Sequence, residues 1–286
     1  MIVPGKLSHS ASTLFLIALL AGCASTQADK QAIDQLAGPV DPTPISEIRP
    51  DFAKYFDGFD GSAFVLYDLS LNQYVRYNPE RCAERFIPAS TFKIMNSLAG
   101  LESGVIPDES YVIEWDGTPQ AIAEWNQDHT LETAFRNSVV WYYQELARRL
   151  GKEKMQQYVD AAHYGNQDIS GQIDTFWLEG ELRISADEQV EFLKRLYEGD
   201  LPFSDRSMDI VKGIMVLEDT DDYTFSGKTG TGIRVAPQVG WFVGYLETND
   251  NVYFFATNIE LQTVEGNIGK AREITEAILR DQGLMP

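Results

Sequence analysis

Apolar and polar positions change period along the chain, and each period predicts an element. Runs rich in β-branched and aromatic residues predict strands at Ser62–Asp68 and Gln73–Tyr77, joined as a hairpin by a Leu69–Asn72 turn. Pro88, Ser90 and Thr91 then open a series of good helix formers that continues to about Gly104. Helix-period segments follow at Leu131–Leu150, at Lys152–Ala162 and, after the capping-type Ser185, at Ala186–Tyr197. Strands return at Tyr223–Gly230, Gly240–Glu247 and Val252–Glu260, and a helix over Lys270–Asp281 closes the chain. The acidic run Glu218–Asp222 between them reads as a solvated loop. Strands at both ends, helices between and no internal repeat predict an α+β fold. Its antiparallel sheet is flanked by N- and C-terminal helices and carries an inserted all-helical lobe at roughly 90–220. A ligand site is expected in the cleft between sheet and lobe.

The first residues depart from this pattern. Lys6 is the only basic residue before position 30, and Leu14–Leu20 is an apolar run too short to span a bilayer. With the small residues after it, this has the shape of a signal peptide over residues 1–22. Leu20-Ala21-Gly22-Cys23 resembles the bacterial lipoprotein cleavage box, which implies a lipidated Cys23 heading a periplasmic chain anchored to the (outer) membrane. An ordinary secretory signal with an incidental Cys23 is the alternative. Residues 23–48 then read as the lipidated Cys and a flexible tether rich in Ala, Ser, Gln, Asp and Pro, and 49–286 as one domain.

Charge and cysteine count narrow the classes. Lys+Arg 23 against Asp+Glu 43 gives a net charge of −20, which repels nucleic acid and anionic lipid. Membrane contact is therefore expected only through the lipid at Cys23. Once Cys23 is lipidated only Cys82 is left, so no intrachain disulfide is expected. His129, His163 and one Cys do not readily make a catalytic zinc site, and neither H-E-x-x-H nor G-x-S-x-G occurs.

Chemistry concentrates around Ser90 and Lys93. Three positions apart on a helix, they share one face, and Ser90 falls where unpaired N–H groups and the helix dipole favour a developing anion. A hydroxyl, an adjacent amine and an oxyanion site are the parts of acyl transfer. A lysine amine serves there as a base only if burial removes its charge, and Phe92, Val139, Val140, Trp177 and Leu178 are the candidates to wall such a pocket. S-x-x-K alone is common on solvated helix faces. Three further triplets follow it in order: Ser138-Val139-Val140, Tyr164-Gly165-Asn166 and Lys228-Thr229-Gly230. Together they resemble the class D (oxacillinase-type) serine β-lactamases, as do the stretches Phe86 to Gly104, Trp125 to Gly151, His163 to Ser185 and Lys228 to Ile259.

The resemblance implies a function and a set of roles. The expected reaction is hydrolysis of penicillin-type antibiotics, with resistance as its consequence, and no metal or organic cofactor is implied. Ser90 is the implied nucleophile. Lys93, carboxylated by CO2, is the general base, with Trp177 donating to the carbamate and Val140 controlling water access. Ser138 relays a proton towards the leaving nitrogen and Lys228 tunes it. Thr229, Gly230 and Thr231 line the substrate, and the backbone N–H groups of Ser90 and Thr231 form the oxyanion hole. Tyr164-Gly165-Asn166 is read as structural. Many members carry an arginine early in the last helix that binds the substrate carboxylate. Here Ala271 falls at that position, between Lys270 and Arg272, either of which is a candidate for the charge. Arg234 is a further substrate-binding candidate, placed to pair with Glu179 as happens in some carbapenem-hydrolysing members, the alternative being a solvated arginine. Two competing readings share part of the motif set. Penicillin-sensing receptor domains normally follow several transmembrane helices, and this chain has one short apolar run. Cell-wall peptidases share S-x-x-K and KTG but not the SxV and YGN pair.

Overall fold

Alternate residues of the central strands serve two different cores, which is why those runs read as continuously apolar. The computed structural model describes residues 43–263 and 267–286, so the expected signal peptide and Cys23 lie outside the described residues. In chain order the sheet strands are β1 (Ile45–Ile48), β2 (Ser62–Asp68), β3 (Gln73–Tyr77), β4 (Val216–Asp219), β5 (Tyr223–Gly232), β6 (Val239–Thr248) and β7 (Val252–Glu260). They form one seven-stranded sheet in the order β1-β3-β2-β7-β6-β5-β4. All pairings are antiparallel except that of β1 with β3. On β2, Ala63, Val65 and Tyr67 face a core shared with the helical lobe, while Phe64 and Leu66 face a second core behind the sheet. The helices are α1 (Pro79–Ala83), α2 (Lys93–Glu102), α3 (Leu131–Arg136), α4 (Val140–Leu150), α5 (Lys152–Ala162), α6 (Ala186–Glu198), α7 (Asp205–Met215) and α8 (Lys270–Asp281). Ala271, Ile274, Ile278 and Leu279 of α8 close the back core against Phe225, Phe242 and Phe255.

Several expectations need correction. Residues 45–48, assigned to the tether, form the edge strand β1, held by its pairing to β3 although its side chains are exposed. Among the described residues the N-terminal helix is one 3-10 helix over Pro50–Tyr55, with Phe52 buried in the back core and Tyr55 packed against it. Glu218 and Asp219 belong to edge strand β4, not to a loop. α1 and α7 were not legible as helices. The lobe is not wholly helical either: Arg85–Phe86 pairs with Ile184–Ser185, and Val112–Ile113 with His129–Thr130.

The correction that bears most on function is in Leu131–Leu150. The apolar period runs through the segment without a break, yet it forms two helices, α3 and α4. Ser138 N–H donates to the Phe135 carbonyl at 3.1 Å and Val139 N–H to the Ala134 carbonyl at 2.9 Å. These are the two bonds of a Schellman ending, whose next residue takes the left-handed conformation usually reserved for glycine. Ser138 occupies that position with φ +54°. No glycine signals the break, so the sequence shows a continuous helix where the chain turns.

Candidate active site

Ser90 lies in a 3-10 turn, Ala89–Phe92, that runs directly into α2 at Lys93. The turn is fixed from several sides. Ala89 sits at φ +49° and donates its N–H to the Trp177 carbonyl at 3.0 Å. Thr91 returns its hydroxyl to the Pro88 carbonyl at 2.8 Å and accepts from Gln189 Nε2 at 2.8 Å. A left-handed alanine costs of order 1–3 kcal/mol and persists only where its surroundings over-determine it.

The sheet approaches this turn through Gly230. A Cβ there would meet Thr91 Cγ2 at 3.0 Å and the Pro88 carbonyl oxygen at 3.1 Å. Glycine therefore lets β5 lie against the turn that carries Ser90. β4 pairs with β5 only over Thr224–Ser226, so among the described residues β5 has from Gly227 to Gly232 a strand neighbour, β6, on one side alone. An unpaired strand edge beside a hydroxyl can receive an extended substrate.

Lys93 is fully buried, and its Nζ stands 2.8 Å from Ser90 Oγ. Desolvation, with the Lys228 charge as the second cause, holds its amine well below the ordinary lysine range. Phe92, Val139, Trp177 and Leu178 belong to the same core, and Val140 packs against it. Tyr143, which the motif reading did not single out, places its ring 5.3 Å from Lys93 Nζ. Trp177 stacks on Phe92 with ring centroids 5.6 Å apart. Its indole Nε1 is buried with no hydrogen-bond partner. A buried donor left unpaired costs about 1–3 kcal/mol and calls for an acceptor.

The second lysine faces the helix break. Lys228 Nζ lies 3.1 Å from Ser138 Oγ and 3.0 Å from the Thr229 carbonyl, over the Phe135 ring. Burial pushes its pKa down to about 7. The unusual conformation of Ser138 thus aims its hydroxyl at a lysine carried by a strand 90 residues later.

The remaining candidates separate clearly. Lys270 is held by Glu273 at 2.6 Å, and Ala271 is buried in the back core. Arg272 instead lines a pocket of about 190 Å³ together with Phe135, Arg136, Lys228 and Thr229, its Nε bonded to Glu276 at 2.7 Å. Arg234 does meet Glu179, at 3.3 Å, with both side chains nearly half exposed. That joins the loop after β5 to the segment carrying Trp177. In the YGN triplet, Tyr164 is core, packed edge-on against Phe92 at 5.5 Å. Gly165, at φ +55°, leaves no room for a Cβ beside the Arg183 carbonyl. Asn166 accepts from Arg183 N–H at 2.8 Å and donates to the Glu181 carbonyl at 2.8 Å. The triplet holds a loop; none of its side chains reaches the lysines.

The arrangement is a serine hydroxyl beside a buried amine, a second serine beside a second buried lysine, both lysines with lowered pKa, and a strand edge next to them. The model for the penicillin-binding protein transpeptidase domain matches residues 61–280. Beta-lactamase OXA-48 of Klebsiella pneumoniae is 46% identical over 222 residues, covering 78% of this chain and 83% of that protein. Regulatory protein BlaR1 of Bacillus licheniformis is 40% identical over 238 residues, covering 82% of this chain but only 39% of that protein. Among solved structures, the class D beta-lactamase FUS-1 (OXA-85) of Fusobacterium nucleatum subsp. polymorphum superposes with a TM-score of 0.81 at 38% identity, over 84% of this chain and 100% of its own.

Proposed function

This chain belongs to the class D serine β-lactamases, enzymes that open β-lactam rings through an acyl-serine intermediate, and we propose how its residues divide that work. Such enzymes need no metal or organic cofactor, and hydrolysis of the drug confers resistance. The observation that carries the assignment of roles is the dry Lys93 amine at 2.8 Å from Ser90 Oγ, with the unpartnered Trp177 indole in the same core.

Ser90 Oγ forms the bond to the lactam carbonyl carbon while its proton leaves towards the Lys93 side chain. An uncharged amine can also add CO2, releasing a proton, and the resulting carbamate supplies a carboxylate-type base for acylation and for the deacylating water. The residues fit that group: Trp177 Nε1 is a donor in want of an acceptor, and Val140 at the edge of the pocket limits water. The backbone N–H groups of Ser90 and Thr231 hold the oxyanion. As the carbonyl reforms, the C–N bond breaks and the nitrogen takes the Ser138 proton, which Lys228, 3.1 Å behind it, replaces. Gly230 keeps the strand edge close, Thr229 offers its hydroxyl to the substrate carboxylate, and Arg272 supplies the charge. Arg234, tied to Glu179, shapes the rim. Signal cleavage before Cys23 and its lipidation would place the domain in the periplasm on a membrane anchor, a reading supported by Leu20-Ala21-Gly22-Cys23.

The purified chain is expected to turn over benzylpenicillin and a chromogenic cephalosporin many times, faster with added bicarbonate, and Lys93→Ala to abolish turnover in a folded protein. One stoichiometric burst without turnover would point instead to a sensor.

A further inference from the structure

Ser138 can serve as a relay only while the chain stays in the left-handed turn that aims it, and the sequence offers no glycine to hold that turn. The peptide plane between Asn137 and Ser138 sets its φ, and both ends of that plane are tethered. Its N–H is taken by the Phe135 carbonyl at 3.1 Å. Its C=O, orphaned because α3 has ended, is taken by the indole Nε1 of Trp125 at 3.0 Å.

Trp125 lies in a 3-10 turn, Ala123–Trp125, between two short strands, and that turn is fixed by two further ring donors. Trp141, in the first turn of α4, donates its Nε1 to the Trp125 carbonyl at 2.8 Å. His129 places Nε2 at 2.9 Å from the Glu124 carbonyl and Nδ1 at 3.1 Å from Thr133 Oγ1. A carbonyl only accepts, so Nε2 bears a hydrogen and donates it to the Glu124 carbonyl. His129 is buried, and its ring lies 5.9 Å from that of Trp141. His129 and Trp141 thus grip consecutive carbonyls of the turn whose indole grips the Asn137 carbonyl.

We propose that Trp125 and His129 are positioning residues for Ser138, holding the Asn137–Ser138 peptide in the orientation that points its hydroxyl at Lys228. The inference rests on Ser138 being the proton relay. It predicts that loss of one N–H donor, with an apolar side chain left in its place, impairs the step Ser138 performs and not substrate binding. It also predicts no further cost once the Ser138 hydroxyl is gone.

The test is a double-mutant cycle in the full chain with benzylpenicillin, reading kcat, KM and the acylation rate. Trp125→Phe is expected to lower kcat and the acylation rate tenfold or more with KM within about threefold, and to change nothing further in the Ser138→Ala background. His129→Leu should behave like Trp125→Phe. His129→Gln, which retains an N–H donor, should recover kcat to within about threefold of the parent, and this pair carries the test if Trp125→Phe does not fold. An equal loss in both backgrounds, a rise in KM with kcat unchanged, or no recovery with Gln overturns the positioning role. If Ser138→Ala itself keeps full turnover, the relay assignment fails and not the geometry of the turn.

Discussion

The conformation of Ser138 can be weighed by replacing it with two residues that both lack the hydroxyl. Ser138→Ala and Ser138→Gly lose the same contact to Lys228 Nζ at 3.1 Å and leave that lysine with the same remaining partners, the Thr229 carbonyl and hydroxyl. The two variants therefore differ in backbone preference alone. At φ +54° a side chain with a Cβ pays roughly 1–2 kcal/mol that glycine does not. Glycine gives back up to about 0.5–1 kcal/mol because its unfolded chain is freer. The balance favours the glycine variant by about 1 kcal/mol, or ~2–4 °C in melting temperature for a domain of this size. Urea and thermal denaturation of the pair read this difference directly. Both variants should lose turnover by about 10²–10⁴-fold, the usual worth of a positioned acid or base. Glycine would thus give a more stable and nearly inactive enzyme. An alanine variant as stable as the glycine one would show that Ser138 is not held in a left-handed turn. Retained turnover in either would remove it from the mechanism.

The two buried lysines make stability depend on pH. Lys228 has its pKa pushed down to about 7 from an ordinary 10.5, and Lys93 lies well below its ordinary value. In the unfolded chain both amines keep their protons to about pH 10, so from pH 7 upward the unfolded state binds more protons and stability rises with pH. The slope is at most about 1.4 kcal/mol per pH unit for each lysine. It should be read between about pH 7 and 8.5, because above that range the raised pKa of the buried Cys82 thiol acts in the opposite direction. Urea melts in CO2-free buffer should show the rise, and Lys228→Met should remove about half of it; a flat parent profile would contradict the burial argument. For carboxylate recognition, Arg272→Ala should raise KM for benzylpenicillin about 10–100-fold with little change in kcat, the worth of one hydrogen bond to a charged group. Lys270→Ala should leave both constants near the parent values, and the reverse outcome would exchange the two assignments.

Much of the molecule could be read locally. Ser62–Asp68, Gln73–Tyr77, Val252–Glu260, Lys152–Ala162 and Lys270–Asp281 have the limits their sequence patterns predict, the two central strands as continuous apolar runs buried on both faces and the helices as a regular period. Ser90, Lys93, Ser138 and Lys228 were recognisable as residue types in order. Their meeting was not derivable from spacing, since β5 and the α3–α4 break are distant in sequence. The break itself was hidden because a serine stands where a glycine would have announced it. β1 and β4 escaped notice because edge strands with exposed side chains are held by backbone pairing and bury no alternating face. Arg272 and Lys270 look equivalent on paper; only the packing of α8 puts one beside Lys228 and Thr229 and the other against Glu273.

What the chain determined alone was which side chains recur at 2 or 3.6 positions and which reactive groups it carries. What the tertiary structure decided was how dry Lys93 and Lys228 are and how close each lies to its serine. The charge on an amine depends on every atom that displaces water from it, and those atoms come from helices and strands that meet only when the chain has folded.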